Sequence, residues 1–380
     1  MLGVTENGMK SSIPPCGTMV ERAALAFSLV ESWLFSEPMT ELFAEFGGKL
    51  PEKWYPVPGD DGVEAVKGLS PAQADVMRRA VVVENMAAAD FDFRSVDGKQ
   101  YGERSQAGVA DFDAERRERV ARLADQLGLV TPRPARFSRY DKTLVLGAGY
   151  RSPQLRSRYA AQVQAAGVDL GELSFLGSPR FLIDDPAELP VVEGFAPGAH
   201  DEFDLMMGAA RTEFGLTTGE VTFLCGCVAA DLTCPAWRHR GADGVEKTPP
   251  AYTHERQVEL FDRAGHMVGS VLSASTSRPP RRPDTSDTFA LWARCADPRP
   301  GQRVLVVTTQ MFVPFQNFDG IRRLNLPHGV EVDTVGLGAE WGDRLETAEN
   351  LLQETLSAVR SGRRLLDAAA ETLMCPPRAE

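Results

Sequence analysis

Cysteine, histidine and basic charge are all scarce in this 380-residue chain, and each scarcity narrows what the protein can be. There are six cysteines: Cys16, Cys225, Cys227, Cys234, Cys295 and Cys375. Three stand singly, which argues against a disulfide framework. The five histidines, His200, His239, His254, His266 and His328, form no H-x-x-x-H or H-E-x-x-H pattern. The stretch CGCVAADLTCPAWRHR (225–240) holds three of the cysteines and His239, but not at the C-x2-4-C spacing of a zinc site. No metal is expected, and buried thiols in a small strand pair are the reading adopted there. Lysine and arginine number 41 against 53 acids, a net charge of -12. That excludes general binding along a nucleic-acid backbone, which needs a basic surface, but leaves room for a local basic pocket. No apolar run approaches the ~20 residues of a membrane span. The opening MLGVTENGMKSSIPPCGTM lacks a charged segment followed by an apolar one. The expectation is a soluble, cytoplasmic protein with no membrane partner.

Several catalytic signatures are also missing. No Gly-x-Ser-x-Gly elbow occurs, so a hydrolase triad of that type has no support. The stretch LVLGAGYRSPQLRSRY (144–159) reads as a buried strand, a glycine turn and a helix. A dinucleotide fingerprint needs a third glycine after Gly147 and Gly149, and an acid near the end of the next strand. Neither is present, because Tyr150-Arg151-Ser152 follows and the second strand ends in LGSPR. No Gly-Lys-Ser/Thr follows either, which excludes a P-loop. Another kind of anion cradle and a tight turn without ligand both remain open.

The remaining pattern divides the chain in two. Residues 1–136 are expected to be mostly helical. MVERAALAFSLVESWLFSEPMTELFAEF (19–46) has helical apolar spacing broken at Pro38, and Ser70 with Pro71 starts a helix to about residue 91. DAERRERVARLADQLGLV (113–130) is a charged amphipathic helix that stops near Gly128. Residues 137–380 alternate apolar strands with helices. The strand candidates are 143–148, 172–177, 269–275, 303–309 and 330–336. The helices lie at about 153–166, 201–214, 285–296, 314–325 and 344–368. This predicts an α/β domain, a Rossmann-like parallel sheet of about five strands with helices on both faces. An insertion of short strands or loops interrupts it at 217–266. The helix 343–373 either pairs between chains or packs across the sheet, and packing is the reading adopted.

Ligands in such sheets sit beyond the carboxyl ends of the strands. Those ends share one chemistry here. Gly147, Gly149 and Arg151 follow the first strand, and Gly177, Ser178 and Arg180 the second. Ser275, Arg278, Arg281, Arg282 and Thr285 follow the third, and Thr308, Thr309 and Gln310 the fourth. Glycines, hydroxyls and arginines beside helix N-termini suit an anion. Of the acids at this edge, Asp287 is expected to cap a helix. Asp284 is either a cap or a general base.

LVLGAG, FLGSPR, DEFDLMMGAARTEFGL (201–216), DTSDT (284–288) and VLVVTTQMF (304–312) together resemble the YdcF/SanA-like family over about residues 140–338. The resemblance implies a Rossmann-like fold of largely unassigned function and makes Glu202 the acid on its helix. The family places a histidine and an arginine after the last turn, where this chain has Phe312 and Phe315. The expected function is an enzyme, a transferase acting on a small molecule. Its ligand is anionic and adenine-bearing, S-adenosylmethionine or a nucleotide, with Glu202 and Asp284 as candidate catalytic groups. The alternatives are an aminoacyl-tRNA donor and a non-catalytic ligand-binding or scaffold protein.

Overall fold

The computed structural model describes residues 17–52, 69–96, 99–100, 108–182, 186–225, 254–278, 282–342 and 346–375. The chain divides into two compact units. One is built from 1–131, 310–332 and 345–380, the other from 132–309 and 333–344.

The first unit is helical. Its elements are α1 (Met19–Leu34), α2 (Glu37–Ala44), α3 (Pro71–Asp90), a small antiparallel pair β1 (Ser95–Val96) and β2 (Lys99–Gln100), and α4 (Ala114–Gln126). Local chemistry sets the starts. Thr18 and Ser70 form capping boxes with Glu21 and Gln73, and Ser36 and Asp113 cap α2 and α4. Pro38 falls in the first turn of α2, where a missing N–H costs nothing. Gly128 ends the α4 region at φ +86°.

The first unit also takes two segments from the C-terminal half. One is α9 (Val313–Gly320), which continues through a π turn at Ile321–Asn325 into α10 (Leu326–His328). The other is α11 (Ala348–Met374). This corrects the expectation of a single domain over 137–380 and of a C-terminal helix packed across the sheet. The helix α11 packs against α1, α3, α4 and α9. Its buried stripe includes Leu351, Leu352, Leu356, Val359, Leu365 and Leu366, in one core with Val30, Trp33 and Phe318. Periodicity shows that α11 has an apolar face but not which partner covers it. Trp33 donates from Nε1 to Leu127 O at 3.1 Å and meets Phe318 edge-on at 5.5 Å, which fixes the centre of this core. Phe312 and Phe315 also pack in or against this core.

The second unit is the α/β body. It contains β3 (Lys142–Leu146), α5 (Ser152–Ala165), β4 (Glu172–Gly177), α6 (Leu189–Phe195), α7 (Glu202–Phe214), β5 (Thr217–Thr218), β6 (Thr222–Phe223), β7 (Arg256–Phe261), β8 (Met267–Ser273), α8 (Thr285–Ala296), β9 (Arg303–Thr309) and β10 (Glu331–Leu337). The strand order is β10-β9-β3-β4-β8-β7-β5, with β6 also on β7. The strands β9, β3, β4 and β8 run parallel in sequence across the sheet. Counted along the chain, the five long predicted strands lie in the order 3-2-1-4-5, the Rossmann-like arrangement. Val145, Phe175, Val271, Leu305 and Val307 pack with Ala160 of α5 and Phe203 and Met206 of α7. Against α8, Trp292 Nε1 donates to Ser174 Oγ at 3.1 Å.

The insertion enlarges the sheet. The strand β7 hairpins onto β8 antiparallel through a turn in which Asp262 Oδ1 accepts from Ala264 N and His266 N. The short β5 and β6 then add to β7, making eight strands rather than about five. Among the described residues no helix is long and apolar enough to cross a membrane.

Glu349, in the first turn of α11, accepts from Ala110 N at 3.0 Å and from Arg117 Nη1 at 3.0 Å. Burial pushes this carboxyl up, but those donors outweigh it and hold it below its ordinary value. A depressed carboxylate stabilises the fold above its unfolded pKa and loses that contribution as pH falls through its lower folded value. Glu349→Gln is therefore expected to cost about 1–3 kcal/mol at neutral pH. The deficit should shrink below about pH 4. Urea denaturation across pH checks this, and a deficit that does not change with pH contradicts it.

Candidate functional site

The site region is built where β3 ends. Gly147 N donates to Leu176 O at 2.6 Å, so the ends of β3 and β4 are drawn together. A Cβ at Gly147 would lie 2.5 Å from Leu176 O, so only glycine fits. A Cβ at Gly149 would meet only Arg180 Nη2, at 4.0 Å. Tyr150 then takes φ +56°, a left-handed conformation that costs ~1–2 kcal/mol for a non-glycine residue. Arg151 forms a two-pronged ion pair with Glu188, both contacts at 2.9 Å. The helix α5 starts without a side-chain cap. By contrast, α7 and α8 are capped at the same edge by the carboxylates of Asp201 and Asp284.

Between β3 and β9 the chain reverses its direction of travel across the sheet, and Arg156 fills this point from α5. Its side chain is buried. Nη1 donates to Leu146 O at 3.0 Å and Gly147 O at 2.8 Å. Nε and Nη2 both donate to Thr309 Oγ1, at 3.2 and 3.1 Å. Thr308 beside it is fully buried, and its Oγ1 has no hydrogen-bond partner among the described residues.

Beyond β4, Ser178 Oγ donates to Glu202 Oε2 at 2.7 Å, and Arg180 Nη1 donates to Oε1 at 3.1 Å. Glu202 is the first residue of α7 and only 7% exposed. Both oxygens are engaged, so it holds Ser178 and Arg180 in place rather than standing ready as a base. Gly177 packs closely on this turn, where a Cβ would lie 3.1 Å from Glu202 O. Asp201 accepts from Phe203 N and Asp204 N and pairs with Arg256. Burial pushes the Asp201 carboxyl above its ordinary value, against the pull of Arg256. The Arg256 guanidinium also lies 4.4 Å from the Phe203 ring centre.

Beyond β8, Ser275 Oγ donates to Glu255 Oε1 at 2.7 Å, and Arg294 Nη2 to Oε2 at 2.9 Å. Arg278 pairs with Asp284. Asp284 accepts from Ser286 N at 2.9 Å and Asp287 N at 3.3 Å, and Asp287 Oδ2 accepts from Asp284 N at 3.0 Å. Asp284 is thus a cap within a full capping box, and a base role is not what its contacts serve. Thr285 opens α8 half-buried, and Arg282 is half-buried. Arg281 lies outside the described residues, as does most of the 225–240 cysteine stretch. Gln310 belongs to the helical unit and donates from Nε2 to Gly128 O at 2.8 Å, so it is not one of the groups gathered at the end of β9. His200 is exposed. Among the described residues no group of three or more His, Cys, Asp or Glu side chains is placed to hold a metal ion.

The structure therefore brings Gly147, Gly149, Ser178, Arg180 and Glu202 together. Two groups escaped the sequence, and a third, Arg156, was visible there as one of the arginines after the first strand but not as a buried anchor. Arg256 and Glu255 lie in the insertion and carry no local signal. Arg156→Met removes a charged donor from two carbonyls and a hydroxyl, and is expected to cost about 3 kcal/mol or more. Arg151→Ala breaks a half-exposed pair and should cost under about 1 kcal/mol. Urea midpoints of the two variants test this contrast, and equal losses would contradict it.

No family model matches the sequence, and no solved structure matches it. Uncharacterized proteins of Mycobacterium bovis and Mycobacterium tuberculosis are 30% identical to it over 368 residues, 92% of this chain and 92% of theirs. A match of that length takes in both units. The chain belongs to the same family as these mycobacterial proteins.

Proposed function

We propose that the protein is an enzyme that binds a small adenine-bearing ligand, S-adenosylmethionine before a nucleotide, at the Gly147–Ser152 turn, and transfers a group from it to a small molecule. The observation that carries this reading is the contrast among helix starts. Two helices at the carboxyl edge are closed by aspartate caps, while α5, directly after the first strand, and the short α6 begin with no side-chain cap. An uncapped N-terminus beside a glycine turn at the point of reversal is where this sheet arrangement favours an anionic group.

Charge argues for the less anionic candidate. Arg151, Arg180, Arg256 and Arg278 are each matched by a carboxylate: Glu188, Glu202, Asp201 and Asp284. These four arginines offer little surplus positive charge for a triphosphate. A single carboxylate, as on S-adenosylmethionine, fits that balance better. The net charge of -12 weighs against an aminoacyl-tRNA donor in the same way. In this reading Arg180, aimed by Glu202 and lying next to Gly149, touches the ligand. The likeness of LVLGAG and FLGSPR to the YdcF/SanA-like family belongs to this proposal, with Glu202 as the positioning acid.

The two glycines separate fold from function. Gly147→Ala should destabilise the protein with or without ligand, because its Cβ meets backbone. Gly149→Val should leave the unliganded melting temperature nearly unchanged and remove the ligand-induced shift. A ligand at about 100 times its dissociation constant adds ~2.7 kcal/mol to the wild type. Thermal shift with S-adenosylmethionine, S-adenosylhomocysteine and ATP makes the comparison. No shift with any of them, or a full shift in Gly149→Val, overturns the proposal.

A further inference from the structure

Cys225 lies in the turn after β6, and His254 stands just before β7. Those strands pair antiparallel, with Phe223 opposite Arg256, and Leu224 N donates to Glu255 O at 2.8 Å. The pairing brings Cys225 Sγ to 3.5 Å from His254 Nδ1. The imidazole is buried and meets the Phe223 ring edge-on at 5.5 Å, so its plane is set by packing. The thiol is half-buried and not disulfide-bonded.

The location matters as much as the contact. Because β7 runs antiparallel to β8, with Arg256 opposite Ser273, the start of β7 lies at the carboxyl end of β8. Ser275, just past β8, bonds Glu255, and Arg256 bonds Asp201 at the start of α7. The pair thus stands at the same edge as the glycine turn. Two charged groups at the start of β7 are matched, Glu255 with Arg294 and Arg256 with Asp201. The imidazole beside the thiol is a group that can draw off its proton.

We propose that Cys225 and His254 form a nucleophilic thiol–imidazole pair that accepts an acyl group from an ester or thioester. The Sγ–H proton passes to His254 Nδ1, and the thiolate adds to the carbonyl carbon. The intermediate collapses with cleavage of the C–O or C–S bond to the leaving group, which takes the proton back from His254. The product is an acyl thioester on Cys225, released in a second half-reaction by water or an acceptor nucleophile. The chemistry uses both halves of the pair: a proton is removed from the attacking atom and returned to the departing one.

The test needs no adenine ligand, so it stands or falls apart from the reading above. The intact protein is alkylated with iodoacetamide at about pH 6 and about pH 8, and each cysteine is followed by peptide mapping. Exposed Cys375 is followed as the internal comparison. The rate of a free thiol rises by up to ~100-fold over that interval, whereas the rate at Cys225 should change by less than ~3-fold. A Cys225 rate that tracks Cys375 overturns the proposal with no variant needed. Incubation with p-nitrophenyl acetate should acetylate Cys225 ahead of Cys375, and His254→Gln should slow this at least ~10-fold. Acetylation at Cys225 no faster than at Cys375, or unaffected by His254→Gln, overturns it as well.

Discussion

One buried guanidinium ties the sheet together where its topology reverses. The last carbonyls of β3 and the hydroxyl that ends β9 point into the gap between two strands whose connections leave in opposite directions. Unmet, each of those groups would cost ~1–3 kcal/mol. Arg156 satisfies them from the second turn of α5. In doing so it fixes the helix over the sheet and the glycine turn at its mouth. The close β3–β4 approach at Gly147 and the strained Tyr150 are held by that anchor. A strained turn persists only where its surroundings over-determine it.

Arg151, Arg180, Arg256 and Arg278 at this edge form a lattice of matched charges. Four carboxylates there have a second task besides an arginine. Asp201 and Asp284 cap helices, and Glu202 accepts from Ser178. Glu255 accepts from Ser275. The arrangement stiffens the loops, and α5 starts on Arg151 with no side-chain cap. A loop edge held by its own ion pairs presents preformed geometry, so less ordering entropy is lost when a ligand arrives.

Much of the fold was legible in the sequence because it is written in local chemistry. Apolar runs such as TLVLGA and RVLVVTT read as buried strands, and Ser70 with Pro71 marked a helix start that the structure closes with a capping box. What was not legible depends on chain reversal. Arg256 meets Asp201 from 55 residues away, and Cys225 meets His254 from 29. Both encounters are made by the antiparallel strands of the insertion, which read only as an interruption. The same limit explains the arginines. Their positions along the chain were visible, but the carboxylates beside them arrive from other loops, so they read as free anion binders. The stripe on α11 was equally clear, yet nothing in its period says that α1 and α3 cover it.

The central claim is that the Gly147–Ser152 turn, anchored by Arg156, is a ligand site. Amide hydrogen exchange with and without saturating S-adenosylmethionine addresses it most directly, with S-adenosylhomocysteine and ATP run in parallel. The account predicts slowed exchange confined to residues 147–153 and 177–181, the turn and the Arg180 loop beside it. Unchanged exchange at the turn with all three compounds, or protection confined to other parts of the chain, would contradict it.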